Sequence, residues 1–404
     1  MRAPAGPWRG LRREWPGREA VLPGPVQLLG ASIPAIRHAL LLCAVFATVG
    51  VVQPFLPAFL AARGLNPDEI ALALALGSGV RLLAAPMAGR WADALGDARL
   101  LLGAVALLGL LAAGGFLVAA GLLGFLLVQV LLNAASAPLA PLADMLCLAA
   151  AREGRLEYGR VRAAGSVAYI VMAVLAGWLA GRAGFTVVPW LIGATMLATL
   201  VAACALPRPP VLPGRRAGGG IRAALRLPGF ARLLLLSGLI QSSHAAYYAF
   251  GSIHWAAAGH SAGIIGLLWA EGVLGEVVLF LCGHRLLARI GPRGMALLAA
   301  AAGLLRWSVF AATTWLPALV AVQALHALSF GAQHLAAMHL ILRLVPPALA
   351  GTAQTLHAAL GVGLLMGLLT WLCGPLYAGF GSGVFLLMAG LCALAIPLAL
   401  SLRT

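Results

Sequence analysis

The chain has 404 residues, 62% hydrophobic and 9% charged, with a mean hydropathy of +0.99; this composition excludes an ordinary soluble domain. Its formal charge of +16 comes from 27 basic residues, all arginine, which gather in short loops rather than on one amphipathic face and so argue against nucleic-acid binding. The cysteines (Cys43, Cys147, Cys204, Cys282, Cys373 and Cys392) lie in or beside apolar stretches without metal-ligand spacing, and a chain without lysine has no Walker motif, so the sequence points to no metal, no cofactor and no ATP-driven step.

Residues 1–35 are rich in Pro, Gly and Arg and read as a disordered cytoplasmic tail. About twelve apolar runs follow, each near the ~20 residues that a bilayer requires. The expected spans are roughly 38–61, 70–88, 100–119, 122–143, 163–181 and 186–206, then 233–255, 263–283, 294–313, 317–342, 351–373 and 382–402. Residues 207–232 interrupt them with six arginines, no acid and repeated Pro and Gly, which marks a solvated linker. The predicted architecture is therefore all-α, with a six-helix bundle over 36–206, a cytoplasmic linker over 207–232 and a second bundle over 233–404. Of the 27 arginines, 23 fall on the face shared with that linker, two (Arg63 and Arg182) on the opposite face and two inside spans. The imbalance puts both termini in the cytoplasm.

The loop after span two reads Gly89-Arg90-Trp91-Ala92-Asp93-Ala94-Leu95-Gly96-Asp97. It resembles the signature loop of the major facilitator superfamily at Gly89, Asp93 and Gly96, although Ala94, Asp97 and Ala98 stand where basic residues are usual. The stretches QPFLPAFLAARGLNPDEIALALALGSGVRLLAAPMAGRWAD, YGRVRAAGSVAYI and LHALSFGAQHLAAMHLI are similar to the phenylpropionate permease branch, itself similar to lactose and nucleoside proton symporters. The resemblance implies a twelve-helix facilitator fold that rocks between two states. It also implies proton-coupled uptake of a small organic anion, such as an aromatic acid, across the bacterial inner membrane by a monomer whose partners are substrate, protons and lipid. Symport of a neutral sugar or nucleoside is the alternative, and a transport-inactive receptor is the reading from another class.

An ionisable group in hydrocarbon costs several kcal/mol unless it faces a cavity or a partner, so intramembrane charges are functional candidates. Arg81 and Arg306 are expected to offer a counter-charge to a substrate carboxylate. For the proton, the lactose permease resemblance matches Arg306 and His326 by type but puts Ser329 where an acid would follow. Span eight supplies Glu271 and Glu276 instead. Glu271 is expected level with Arg306 and is assigned the proton, with Glu276 pointing about 140° away. Neutral polar and aromatic residues recur at helical spacing in spans one, four, seven and ten: Gln53 and Phe55; Asn133; Gln241, His244, Tyr247 and Tyr248; Gln323, Gln333 and His334. They are assigned to substrate binding at the interface of nested repeats, the bland alternative being interhelical hydrogen bonding. Asp93 and Asp144, beside Arg160 and Arg162, are assigned to a cytoplasmic gate.

Overall fold

In a computed structural model of the protein, residues 33–207, 220–346 and 349–402 are described, without the side chain of Asp93. Nearly all of the expected tail and about half of the expected linker lie outside these residues. Every assigned element is helical. Among the described residues, nine stretches are long and apolar enough to cross a membrane. The difference from twelve expected runs has a physical origin. Span seven is two 13-residue helices, Phe230–Ser242 and Ala245–Ala257, neither long enough alone. Spans eight and nine merge into the 51-residue Ala262–Ala312, whose backbone breaks at Gly291 (φ 68, ψ 174). Spans eleven and twelve merge likewise in Ala350–Leu400, another 51 residues, which the short turn Gly381–Gly383 interrupts. At 1.5 Å per residue, 51 residues extend roughly 77 Å, more than twice a hydrocarbon core of about 30 Å. Each must therefore turn back on itself to stay in the bilayer.

Span one (Ile33–Ala62) packs on span five (Tyr158–Ala183) and span six (Val188–Ala205); span three (Ala98–Val118) also packs on span six. Later in the chain, span twelve (Val384–Leu400) packs on the Ala262–Ala312 helix, and span seven on span eleven. The two halves of the chain meet chiefly where span five lies on span eight and span two (Pro67–Leu95) on span eleven. The first of these contacts is backbone against backbone. A Cβ on Gly266 would meet the Ala173 carbonyl oxygen at 2.5 Å, and one on Gly177 the Ala262 oxygen at 2.5 Å. Only glycine permits so close an approach, and it closes the ends of spans five and eight farthest from the central linker.

The opposite face is tied by the loop that departs from the family signature. Asp97 caps span three by accepting the Arg99 N–H at 3.0 Å. Arg99 returns Nε–H and Nη2–H to the same carboxylate at 3.0 and 2.7 Å and donates Nη1–H to the Leu206 carbonyl at 2.6 Å. These bonds hold the Asp97 carboxyl below the usual carboxylate range. Because the depressed pKa belongs to the folded state, the associated stability is present above the unfolded value, about 4, and fades as pH falls through the folded one. Asp97→Ala should cost about 1 kcal/mol of stability, the worth of a helix cap, measured as a lower melting temperature in detergent at neutral pH. The gap between wild type and Asp97→Ala should shrink as the pH is lowered below about 4.

Candidate functional site

The deepest polar feature surrounds Arg306, which is 0% exposed. A guanidinium can only donate, and each of its contacts is an acceptor or a ring face. Nη2 donates to Gln323 Oε1 at 2.7 Å, and Nη1 faces His326 Nδ1 at 3.0 Å and Ser329 Oγ at 3.5 Å. The rings of Trp307, Tyr247 and Phe310 lie 4.4, 4.6 and 5.3 Å from its central carbon. Span ten can present three partners to one cation because its backbone tightens there. Leu325 N–H reaches the Val322 carbonyl and Leu328 N–H the Leu325 carbonyl, i→i+3 bonds that eclipse residues three apart. Gln323 and His326 thus share one side, and the π-helical turn Ala327–Ala332 follows.

This arrangement sets the state of His326. Since Arg306 donates to Nδ1, that nitrogen must be the unprotonated one, and the ring is neutral with its hydrogen on Nε2. Nε2 lies 2.8 Å from Glu276 Oε1, so the imidazole donates to the carboxylate. Arg306, His326 and Glu276 form one chain running from a buried permanent charge to a titratable group.

Glu276 and His326 open onto a cavity of about 420 Å³ between spans one, five, seven, eight and ten. Its walls include Phe46, Tyr247, Tyr248, Trp269, Phe280 and Phe330, with Gln53 and Arg162 among the polar residues. Arg162 lies 4.0 Å over the Phe46 ring and donates to Ser166 Oγ at 3.4 Å. No carboxylate among the described residues forms an ion pair with it. Gly159, Arg162 and Ser166 belong to the first turns of span five, and Phe280 and Leu281 to the later part of span eight. The cavity therefore occupies the half of the protein nearer the central linker, away from the Gly177–Gly266 closure.

Several expectations are corrected. Glu271 does not pair with Arg306: it borders a separate apolar groove of about 510 Å³ with Leu274, Val278 and Leu286. Five residues separate the two carboxylates, and the inward one is Glu276. Arg81 is exposed and outside the cavity lining. Gln53, Tyr247 and Tyr248 line the cavity, whereas the other polar residues of the helical stripes bond to protein groups, between helices or within their own. Gln241 donates to the Phe330 carbonyl at 3.3 Å, and His244 sits between the Gln241 carbonyl at 3.1 Å and Ser329 Oγ at 3.2 Å. Gln333 donates to Ser237 Oγ at 3.0 Å, and Asn133 to the Gln129 carbonyl at 2.9 Å. Gln323 is consumed by Arg306, by Tyr247 Oη at 2.7 Å and by the Leu268 carbonyl at 3.0 Å. Phe55 is buried against Phe185, and His334 is exposed, its ring near Phe280.

The expected gate also separates. Asp144 accepts from Tyr158 Oη at 3.1 Å, Arg160 pairs with Glu157 at 2.7 Å, and Arg162 faces the cavity; the side chain of Asp93 lies outside the described residues. Trp269, Phe46, Ser166 and Tyr169 were not singled out from sequence. A usable signal existed in span eight, where Trp269, Val273, Glu276 and Phe280 recur at three- and four-residue steps and mark Glu276 as the carboxylate of the inner stripe.

The MFS_1-like family model matches residues 36–388. The chain is 34% identical over 355 residues to the probable 3-phenylpropionic acid transporter of Escherichia coli (strain K12), covering 85% of this chain and 91% of that relative. It is 27% identical over 365 residues to the maltose permease of Geobacillus stearothermophilus, covering 89% and 91%. Among solved structures, the nucleoside transporter NupG superposes with a TM-score of 0.76 at 16% identity over 92% of this chain and 100% of that one. A bacterial homolog of the human lysosomal transporter Spinster, in an inward-facing and unoccupied conformation, gives 0.68 at 15% identity over 90% and 95%. With an all-helical fold of apolar spans around an aromatic-lined cavity, the chain belongs to the MFS_1-like family of the major facilitator superfamily and is a multi-pass membrane transporter rather than an enzyme.

Proposed function

We propose that the protein imports a small aromatic carboxylate together with a proton across the bacterial inner membrane, with both termini in the cytoplasm. The observation that carries this reading is the polarity of one cavity: a cation, Arg162, that forms no ion pair with a carboxylate among the described residues, and a carboxylate–imidazole pair, Glu276–His326, face the same aromatic-lined space. A carboxylate substrate fits the cation, since guanidinium stays charged when desolvated and binds carboxylate in bidentate fashion. A volume of 420 Å³ lies at the small end of ligand pockets, about 300–1,000 Å³, and suits a single-ring acid. The similarity to the probable 3-phenylpropionic acid transporter points the same way.

Coupling follows from electrostatics in a space of low dielectric. An ionised Glu276 repels an incoming anion, and a protonated one does not. Substrate binding therefore favours the protonated carboxyl, and by linkage protonation favours substrate. Arg306 cannot take this role because it does not titrate, and it keeps His326 neutral. The half of the protein in which the cavity lies, together with the arginine imbalance between the two faces, supports an inward-facing state in which both ligands leave to the cytoplasm.

In proteoliposomes, Glu276→Gln should retain substrate exchange but lose accumulation driven by a pH gradient, while Glu271→Gln should still accumulate. Accumulation that survives in Glu276→Gln would place the proton elsewhere. Arg162→Gln should weaken binding of the acid by about ten- to a hundredfold, as expected for a lost charged hydrogen-bonded pair, and leave the corresponding amide unaffected. If maltose or a nucleoside were taken up and aromatic acids were not, the neutral-solute reading would replace this one.

A further inference from the structure

Trp269 is an unusual wall for a cavity that takes a polar ligand. Its indole is 3% exposed yet lines the cavity, and its single polar atom is already used, since Nε1–H donates to Ser252 Oγ at 2.9 Å. An indole has no other donor and no acceptor, so where this residue borders the cavity it can meet a ligand only through its ring carbons and π system. Its orientation is fixed from the other side as well. The ring stacks on Tyr247 with centroids 4.3 Å apart and planes 21° apart, and lies within 23° of the Tyr248 plane at 6.1 Å. Tyr247 is in turn held by Gln323, which donates to its hydroxyl while accepting from Arg306. Trp269 is thus close to parallel with each tyrosine, although the two tyrosines tilt 45° to one another, and through Tyr247 the indole is tied to the buried cation.

We propose that Trp269 is a specificity-determining residue that makes this cavity prefer an aryl alkanoate to the equivalent saturated-ring alkanoate, with Ser252 as its positioning residue. The inference rests on the carboxylate reading above and concerns the end of the ligand away from the carboxylate. A hydrophobic pocket alone would not give this preference: a cyclohexyl ring carries more hydrogens and more apolar surface than a phenyl ring, so area burial favours the saturated ligand. Offset stacking on a fixed aromatic face favours the planar one. Locking the indole in advance means that the ordering cost is not met again on binding.

The test compares equilibrium binding of 3-phenylpropionate and 3-cyclohexylpropionate, which share a carboxylate, to the purified full-length protein. Wild type should bind the aromatic acid about three- to tenfold more tightly, the range of a single aromatic pair. Trp269→Leu should bring the ratio to within about twofold, while discrimination of 3-phenylpropionate from its amide persists. Trp269→Phe should give an intermediate ratio. Ser252→Ala should lower the ratio and Ser252→Thr, which keeps the hydroxyl, should restore it; this pair decides the matter if Trp269→Leu does not fold. A wild-type ratio near one, an unchanged ratio in Trp269→Leu, or a ratio indifferent to the Ser252 hydroxyl overturns the proposal while leaving the carboxylate reading intact. If wild type fails to distinguish acid from amide, or binds neither acid, the carboxylate reading fails and this proposal with it.

Discussion

The interaction on which the site depends is the hold of neutral groups on the two Nη nitrogens of Arg306, whose buried Nε has no hydrogen-bond partner among the described residues. A fully buried guanidinium costs several kcal/mol of desolvation, and no carboxylate among the described residues forms an ion pair with it. Gln323, His326 and Ser329 accept its hydrogens, and three ring faces supply cation–π attraction worth up to about 2 kcal/mol where desolvated. Much of the surrounding architecture serves this cation. The i→i+3 turns of span ten bring its acceptors to one side, and the break in span seven at Ser243 is pinned to the neighbouring residue Trp307, whose Nε1–H donates to Ser243 Oγ at 2.9 Å. Tyr247 is shared between the cation and the cavity wall.

A permanent buried charge held by neutral acceptors has a chemical consequence. It fixes a histidine tautomer, and the tautomer delivers its hydrogen to Glu276. The only member of the chain free to change charge without breaking the others is then the carboxyl that borders the cavity. Under the proposed reading, the proton and substrate sites are neighbours in one cavity rather than partners across a long path. Little has to move for one to sense the other, since the field of a single charge acts strongly over a few ångströms at low dielectric. The Gly177–Gly266 contact closes the far side and leaves the cavity in the half that bears the arginines.

The fold was legible because hydrocarbon demands a simple code: apolar runs of bilayer length, arginine at one face, helix breakers between. Where the structure departs from that reading, packing overrides composition. The 51-residue helices hide their reversal at Gly291 and Gly381–Gly383, and span seven falls below the length of a single crossing because it breaks in the middle. The site was half legible. Of the residues singled out from sequence, Arg306, His326 and Glu276 form one contact chain, and Gln53, Tyr247 and Tyr248 line the cavity. Depth alone could not choose between Glu271 and Glu276, because two carboxylates five residues apart differ mainly in direction, and direction is fixed by the ring stripe of Trp269 and Phe280. Gln241, His244, Gln323 and Gln333 read as ligand contacts because a polar residue inside a membrane looks the same whether it meets a substrate or a neighbouring helix. Arg162 read as a gate residue from its place near a loop, yet its side chain runs inward over Phe46.

The central claim is that an anion and a proton occupy the same cavity and that Glu276 links them. It is tested most directly by proton uptake upon binding. Purified protein in weak buffer is mixed with 3-phenylpropionate across a series of pH values while the bulk pH is recorded. The account predicts that wild type takes up protons on binding over the range in which Glu276 is ionised in the free protein, and that Glu276→Gln binds without uptake. Binding by wild type with no proton uptake at any pH, or equal uptake by Glu276→Gln, would contradict it.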